Sequence, residues 1–189
     1  LLLELASASA DAAVDLGQPV CALIVLQQAT DALRWELQGL EREELRDWDG
    51  TGTRGLRGVL ARSLHRLAYR ARKLKQPRPA IAVYQEALEL YGGPTLAMTS
   101  DHPAETLGNL LELLVEQQRL DDAERLLPPP GHGAWADEDV AEAAVDLWLL
   151  RRQPDAAGAA LQQARLAQGG RRPGWLEELE RRVHEAAQR

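Results

Sequence analysis

Apolar residues recur every three or four positions along most of this chain, and no stretch of strand length alternates apolar with polar residues. This spacing predicts amphipathic α-helices. Leu, Ala, Glu, Gln and Arg dominate the composition, and all of them favour helices. Glycines and prolines divide the pattern into helices over about 2–16, 19–48, 56–75, 79–91, 101–118, 121–127, 137–152, 154–168 and from 173 onward. We therefore expect an all-α chain.

The second helices of successive helix pairs share a pattern of small and larger residues. Small residues at these positions let one helix of a hairpin pack closely on its neighbours, while the larger residue fills the gap between hairpins. A single hairpin cannot bury such a face, so we expect several hairpins to stack. The positions are Ala80, Tyr84, Ala87 and Leu88; Ala123 and Leu127; Ala157, Leu161 and Ala164; and, more weakly, Ala22, Leu26 and Ala29.

The segment NLLELLVEQQRLDDAERLL, at 109–127, lies within this pattern. Equivalent alanines of successive helix pairs are 43 residues apart from Ala80 to Ala123 and 34 residues apart from Ala123 to Ala157. Residues 101–103 read DHP and are followed by Leu107 and Asn109. In these features the chain resembles the tetratricopeptide repeat (TPR) family, and in particular kinesin-light-chain-like repeats. The resemblance implies an α-solenoid of antiparallel helical hairpins, a TPR-like superhelix, with a C-terminal capping helix. It also implies protein–protein interaction through a concave groove.

We expect one TPR-like domain over 1–189. It divides into a divergent N-terminal hairpin (1–48), a hinge loop (49–55), three repeats (56–170) and a capping helix (171–189). The chain departs from the family pattern at several positions. Ala71, Leu114 and Trp148 stand where the first helix has an aromatic residue, Gln118 replaces the turn glycine, and Pro130 replaces a small alanine.

The stretch DGTGTRG, at 49–55, contains the spacing G-x-G-x-x-G that binds dinucleotide phosphates. Such a loop needs a buried strand before it and a helix after it. Here the preceding segment, LEREELRDW, is charged and has a helical pattern. We therefore interpret the glycines as a flexible hinge, and expect no cofactor there.

Residues suited to catalysis or metal binding are few. The four histidines, at 65, 102, 132 and 184, show no metal-ligand spacing, and no serine lies in a G-x-S-x-G turn. The single cysteine, Cys21, lies in the apolar run VCALIVL, and we expect it to be buried. We expect no catalytic residue, no metal site and no enzyme activity.

Composition and hydropathy bear on the cellular location of the protein. It is 45% hydrophobic and 27% charged, which is typical of globular proteins, and no uncharged stretch of 18 residues could span a bilayer. We expect a cytoplasmic protein without a membrane partner. The chain does not begin with methionine, and we expect it to be a recognition or regulatory region of a larger protein.

Charge is segregated along the chain. Residues 50–84 contain nine basic side chains and no acidic one, whereas the segments on either side are net acidic and the whole chain carries −7. In TPR proteins the first helix of each hairpin lines the groove. Matching these positions gives peptide-binding candidates in three hairpins: Arg62, His65, Arg66, Tyr69, Arg72 and Lys73; Glu105, Asn109, Glu112 and Glu116; and Asp139, Glu142 and Asp146.

The resemblance implies that Asn109 hydrogen-bonds the backbone of an extended peptide. Arg62, Arg66 and Lys73 could hold carboxylates, so we expect a protein or peptide ligand of acidic character. Alternatively, these charges pair with neighbouring helices. A nucleic acid stacked on Tyr69 and Tyr84 is a third interpretation, disfavoured by the acidic pI of about 5.2. Self-association through Leu1, Leu2, Leu3 and Leu5 is a further hypothesis.

Overall fold

A computed structural model describes residues 8–10, 12–13, 16–42, 51–92 and 101–188. All regular secondary structure in these residues is helical, which confirms the expected all-α class. The α-helices are α1 (Pro19–Arg42), α2 (Thr51–Lys73), α3 (Pro77–Leu90), α4 (Asp101–Glu116), α5 (Leu120–Leu126), α6 (Glu138–Leu150), α7 (Pro154–Ala167) and α8 (Gly174–Ala187), with a 3-10 helix at Gly133–Ala136 between α5 and α6.

The predicted hinge loop is wrong over residues 51–55, because α2 begins at Thr51 and includes Gly52 and Gly55. A glycine inside a helix costs only about 1 kcal/mol relative to alanine, and the strong helical run that follows outweighs this cost. Asp49 and Gly50 lie outside the described residues, as do the segment 43–48 and the N-terminal leucines proposed for self-association. Of the predicted first helix, 8–10 and 12–13 are described as helical.

The chain divides into two compact units, residues 1–91 and residues 92–189. In the first unit, α2 packs against α1 and α3. In the second unit, α4 packs against α5 and α6, and α6 packs against α7 and α8. The expected organisation as one continuous repeat domain stays a prediction.

The same backbone turn occurs four times in the described chain. Each turn has one residue in the left-handed region, with φ of 71° at Gly17, 57° at Lys75, 58° at Gln118 and 58° at Arg152. The amide of the next residue donates to the carbonyl five residues before it, which closes the end of the first helix in a Schellman motif. These bonds are Gln18 N to Ala13 O (2.7 Å), Gln76 N to Ala71 O (3.0 Å), Arg119 N to Leu114 O (2.9 Å) and Gln153 N to Trp148 O (2.9 Å).

A fully buried alanine follows each turn at the same distance. These residues, each five positions after the left-handed residue, are Ala22, Ala80, Ala123 and Ala157. They are the first alanines of the predicted small-residue pattern, whose other alanines, at 29, 87 and 164, are also buried. The structure therefore confirms that these positions pack in the interior of helical hairpins.

Helix α2 is the centre of the first unit. Leu26 of α1 and Leu67 of α2 belong to one cluster of buried residues, and Leu60 and Leu64 of α2 form another with Ala87 of α3. Arg34 of α1 also reaches α3, where its guanidinium donates to both carboxylate oxygens of Glu86 at 2.6 Å. This bidentate pair joins the two helices that flank α2.

The exposed position of Cys21 contradicts the expectation of a buried thiol. The run VCALIVL is apolar throughout, but a helix turns about 100° per residue, so only part of the run can face inward. Ala22 and Leu26 are buried, whereas Val20 and Ile24 are exposed together with Cys21.

In the second unit, α4 and the start of α6 approach each other closely at Gly108. A Cβ atom added at Gly108 would lie 2.5 Å from Cβ of Asp139 and 3.1 Å from the backbone nitrogen of Val140. Real Cβ atoms do not approach other heavy atoms this closely, so the contact requires glycine. The surrounding core is apolar and fully buried, and includes Leu107, Leu110, Leu111, Leu114, Val140, Ala144 and Leu147.

The segment between α5 and α6, where the sequence predicts no helix, is held in place by bonds to α7, to the residue that follows α7 and to itself. Gly131 N donates to Oε1 of Gln163 (2.8 Å), and Nε2 of Gln168 donates to Ala136 O (2.8 Å). The buried indole of Trp135 donates to Pro129 O (3.0 Å). These bonds fix the position from which α6 starts.

The substitution Gln118→Gly should stabilise the fold. A non-glycine residue in the left-handed region costs roughly 1–2 kcal/mol, part of which is offset because glycine loses more entropy on folding. We expect the free energy of unfolding, measured with urea, to rise by about 0.5–1 kcal/mol. The adjacent substitution Gln117→Gly is the matched control and should lower it, since Gln117 has no positive φ. Equal effects of the two substitutions would contradict the assigned turn.

The substitution Gly108→Ala should destabilise the second unit by about 1–3 kcal/mol, because its methyl group would overlap Asp139. Gly158 provides the control, since it lies within α7 and a Cβ atom there would meet nothing within 4 Å. Gly158→Ala should raise the free energy of unfolding by up to about 1 kcal/mol. Thermal and urea denaturation would measure the change in the free energy of unfolding of each variant. An unchanged free energy of unfolding for Gly108→Ala would rule out the close contact.

Candidate functional site

From Gly58 to its end, helix α2 exposes one narrow stripe. The exposed residues, spaced by four, three and four positions, are Arg62, Arg66, Tyr69 and Lys73, which we call the α2 basic stripe. The buried positions in this part of α2 are Leu60, Ala61, Ser63, Leu64, Leu67, Ala68 and Ala71. Eleven residues of helix rise roughly 16 Å, so the stripe presents three cations and one aromatic ring along that length.

The stripe combines charge with an apolar surface. The ammonium of Lys73 lies 5.1 Å from the centre of the Tyr69 ring, and Tyr69 is 39% exposed. The guanidinium of Arg62 extends back over Gly58, one turn earlier. Within the part of the chain that the structure describes, neither Arg62 nor Lys73 forms an ion pair, so their charges face solvent.

Two other predicted residues lie at the edges of the stripe. Arg72 is half-buried, and so is His65, whose ring packs edge-on against Tyr84 with 5.6 Å between ring centres. Tyr84 is fully buried, so the prediction that it could stack on a nucleic-acid base is wrong. The physical reason is its position in the small-residue pattern, which faces the interior of the hairpin.

Predicted positions on α4 lie in the second unit and are acidic or amide side chains. Asn109 is 8% exposed, and its Nδ2 donates to the backbone oxygen of Glu105 at 2.9 Å. One amide hydrogen is thus used within the helix, and the proposed bond to a peptide backbone stays a prediction. Glu105 and Glu116 are exposed, and Glu112 is half-buried.

The predicted positions on α6 face another helix. Arg182 of α8 donates to Oε1 of Glu142 at 2.9 Å and also pairs with Asp146. Asp139, one turn before Glu142, is exposed. The sequence does not predict this role of Arg182, because its partners lie about 40 residues away and no local pattern signals the contact.

Positions in the three hairpins correspond when they are counted back from the left-handed turn residue. Arg62, Glu105 and Asp139 each lie 13 residues before Lys75, Gln118 and Arg152. By the same count, Tyr69 corresponds to Glu112 and Asp146, and His65 corresponds to Gly108 and Glu142. The positions chosen from the sequence are therefore equivalent in register, although their chemistry differs.

Asp137 is the titratable group whose environment is most altered near these positions. It caps α6, with Oδ1 accepting from Val140 N at 3.2 Å, and it lies against α4 at Gly108. Burial raises the pKa of Asp137 to about 6, the bond from Val140 N opposes this shift, and the nearby charges of Asp139 and Glu105 add to it.

The described residues contain no group of three or more His, Cys, Asp or Glu side chains placed to hold a metal ion. None of the described helices is both long and apolar enough to cross a membrane.

Comparison of the chain with family models, with curated proteins and with solved structures gives no match.

The raised pKa of Asp137 should make stability depend on pH. In the native state Asp137 keeps its proton up to about pH 6, whereas in the unfolded chain it releases the proton near pH 4. The contribution of Asp137 to stability is therefore greatest below pH 4 and is lost as pH rises through 6. Each pKa unit corresponds to about 1.4 kcal/mol, and solvent screening of the half-buried group reduces the expected loss to about 1–2 kcal/mol.

The substitution Asp137→Asn keeps the helix cap and removes the titration. The difference in free energy of unfolding, Asp137→Asn minus wild type, should therefore increase between pH 4 and pH 8, as measured by urea denaturation. A difference that stays constant over this range would contradict the assigned pKa.

Proposed function

We propose that this chain is a TPR-like helical-repeat module that binds an acidic peptide segment of a partner protein. The repeat assignment is supported by the four equivalent turns and the buried alanine that follows each one. Recurring hairpins with the same turn and the same packing position are what a stacked array requires. In this proposal the hairpins form an α-solenoid, and α8 is its capping helix.

The α2 basic stripe is the observation that carries the binding proposal. Arg62 and Lys73 are exposed, and no described residue forms an ion pair with either. An exposed ion pair contributes only about 0–1 kcal/mol, so stability alone is a weak reason to place nine cations and no acid in residues 50–84. Binding of carboxylates supplies a stronger reason, since the guanidinium of arginine can donate two parallel hydrogen bonds to one carboxylate.

The geometry of the stripe suits a peptide. Cations four residues apart on a helix are separated by about 6 Å along its axis, and alternate residues of an extended chain are separated by roughly 6.6 Å. A peptide with acidic side chains at alternate positions could thus place one carboxylate at each arginine. Tyr69, between Arg66 and Lys73, offers an apolar contact to a residue of the same peptide.

In this proposal the chain is not an enzyme and uses no cofactor. It works in the cytoplasm as the recognition or regulatory region of a larger protein. Of the two aromatic residues that the nucleic-acid interpretation requires for stacking, Tyr84 is buried and cannot contact a base. The interpretation is retained as an outcome of the experiment below.

Reversing the charge of the stripe should weaken the binding of acidic peptides. A peptide-display selection on wild type should recover acidic sequences, and the variant Arg62→Glu/Arg66→Glu/Lys73→Glu should lose them. We expect the affinity of a recovered peptide, measured by fluorescence anisotropy, to fall by about tenfold or more, because attraction is replaced by repulsion. Circular dichroism would verify that the variant is still folded.

A control with the same net charge is Arg78→Glu/Arg171→Glu/Arg172→Glu, since all three residues are exposed and lie outside α2. This control should retain the acidic peptides. Identical peptide pools for all three proteins would refute the proposal. A labelled single-stranded DNA that binds wild type with steep salt dependence, and does not bind the stripe variant, would favour the nucleic-acid interpretation instead.

A further inference from the structure

The two halves of α8 are held differently. Leu176 and Leu179, in the first half, are 1% and 2% exposed, whereas no residue from Glu180 to Ala187 is buried. Burial of a leucine side chain contributes most of the affinity of a helix for its neighbours. The first half is therefore anchored by buried side chains. The second half is held by the half-buried Val183 and Ala186 and by ion pairs, one of which joins Glu180 to Arg165 of α7.

An open cleft lies beneath the second half of α8. Its volume is about 840 Å³, and its walls include Leu149, Arg152 and Pro154 at the turn between α6 and α7, and Arg182, Glu185 and Ala186 on α8. The second half of α8 therefore borders an open groove, whose other wall is the turn between α6 and α7.

Arg182 is the contact that crosses from this half to α6, where it pairs with Glu142 and Asp146. Arg181, the preceding residue, pairs with Glu178 and Glu185 of its own helix. Two adjacent arginines with similar partners thus have different roles. One reinforces α8, and the other attaches α8 to its neighbour.

We propose that the second half of α8 is a latch that Arg182 closes over α6, so that the third hairpin cannot use Glu142 and Asp146 for binding. These two acids correspond in register to His65 and Tyr69 on α2. That they would bind a ligand rests on the proposed function, whereas the contact between Arg182 and α6 does not. The latch is an intramolecular contact that competes with any cationic segment for the two acids. Its ion pairs are 26–49% exposed, so salt weakens them.

Hydrogen exchange followed by mass spectrometry tests the latch. Arg182→Glu should accelerate amide exchange in residues 180–188 roughly fivefold, because repulsion from α6 opens this half. The second substitution Asp146→Arg should restore slow exchange by recreating the pair with opposite polarity. Arg181→Glu also disturbs α8, but Asp146→Arg should not rescue it. The proposal would be overturned if Asp146→Arg failed to slow exchange in the Arg182→Glu variant, or if it slowed exchange equally in the Arg182→Glu and Arg181→Glu variants.

Binding of a cationic probe supplies a second readout. Arg182→Ala and Arg181→Ala have the same net charge, and a labelled hexalysine peptide should bind the first variant several-fold more tightly, because only that variant uncovers Glu142 and Asp146. Equal affinities would mean that α8 does not exclude cations from α6. The stripe variant of α2 should leave this difference unchanged, so failure of the peptide-binding proposal and failure of the latch can be distinguished.

Discussion

The left-handed turn, with a fully buried alanine five residues later, is the constraint on which the rest of the structure depends. The turn closes the first helix of each hairpin through its own backbone, since the next amide donates to the carbonyl five residues before it. Three second helices, which start after Gln76, Arg119 and Gln153, therefore begin without a side-chain cap. Helix α6 follows a longer loop and needs one, which Asp137 supplies. As the cap of α6, Asp137 lies against α4 at Gly108, and burial there raises the pKa of its carboxyl group.

Arginines fix the helices that the hairpin turns bring together. Arg34 joins α1 to α3, Arg151 at the end of α6 binds Asp121 and Glu124 of α5, and Arg182 joins α8 to α6. Each guanidinium has two carboxylate partners, which suits its fork of donors. Such pairs contribute little to stability singly, but they define which helix faces meet. The cations of the α2 basic stripe differ from these, because Arg62 and Lys73 point outward from their unit.

Local signals predicted the helices, and long-range contacts limited the prediction of the site. Pro154 marks a helix start because proline fits the first turn and breaks a helix interior, whereas α3 begins at Pro77, two residues before its predicted start at 79. The start of α2 was predicted wrongly because glycines weaken a helix by only about 1 kcal/mol each. Cys21 was placed on the wrong side because a continuous apolar run does not specify which face of a helix is covered. The acids on α6 were predicted as groove residues, but their partner Arg182 is distant in sequence.

The charged residues on α6 and on α2 have opposite signs and different consequences. On α6 the acids Glu142 and Asp146 are neutralised within the chain by Arg182. On α2 the cations lie in a segment without acids, and two acids of the flanking helices, Asp31 and Glu86, are already bound by Arg34. Transfer of Glu86 from Arg34 to the stripe would break the bidentate pair that joins α1 to α3. In the proposed function the carboxylate at Arg62 and Lys73 therefore comes from a partner, and the first unit keeps this pair.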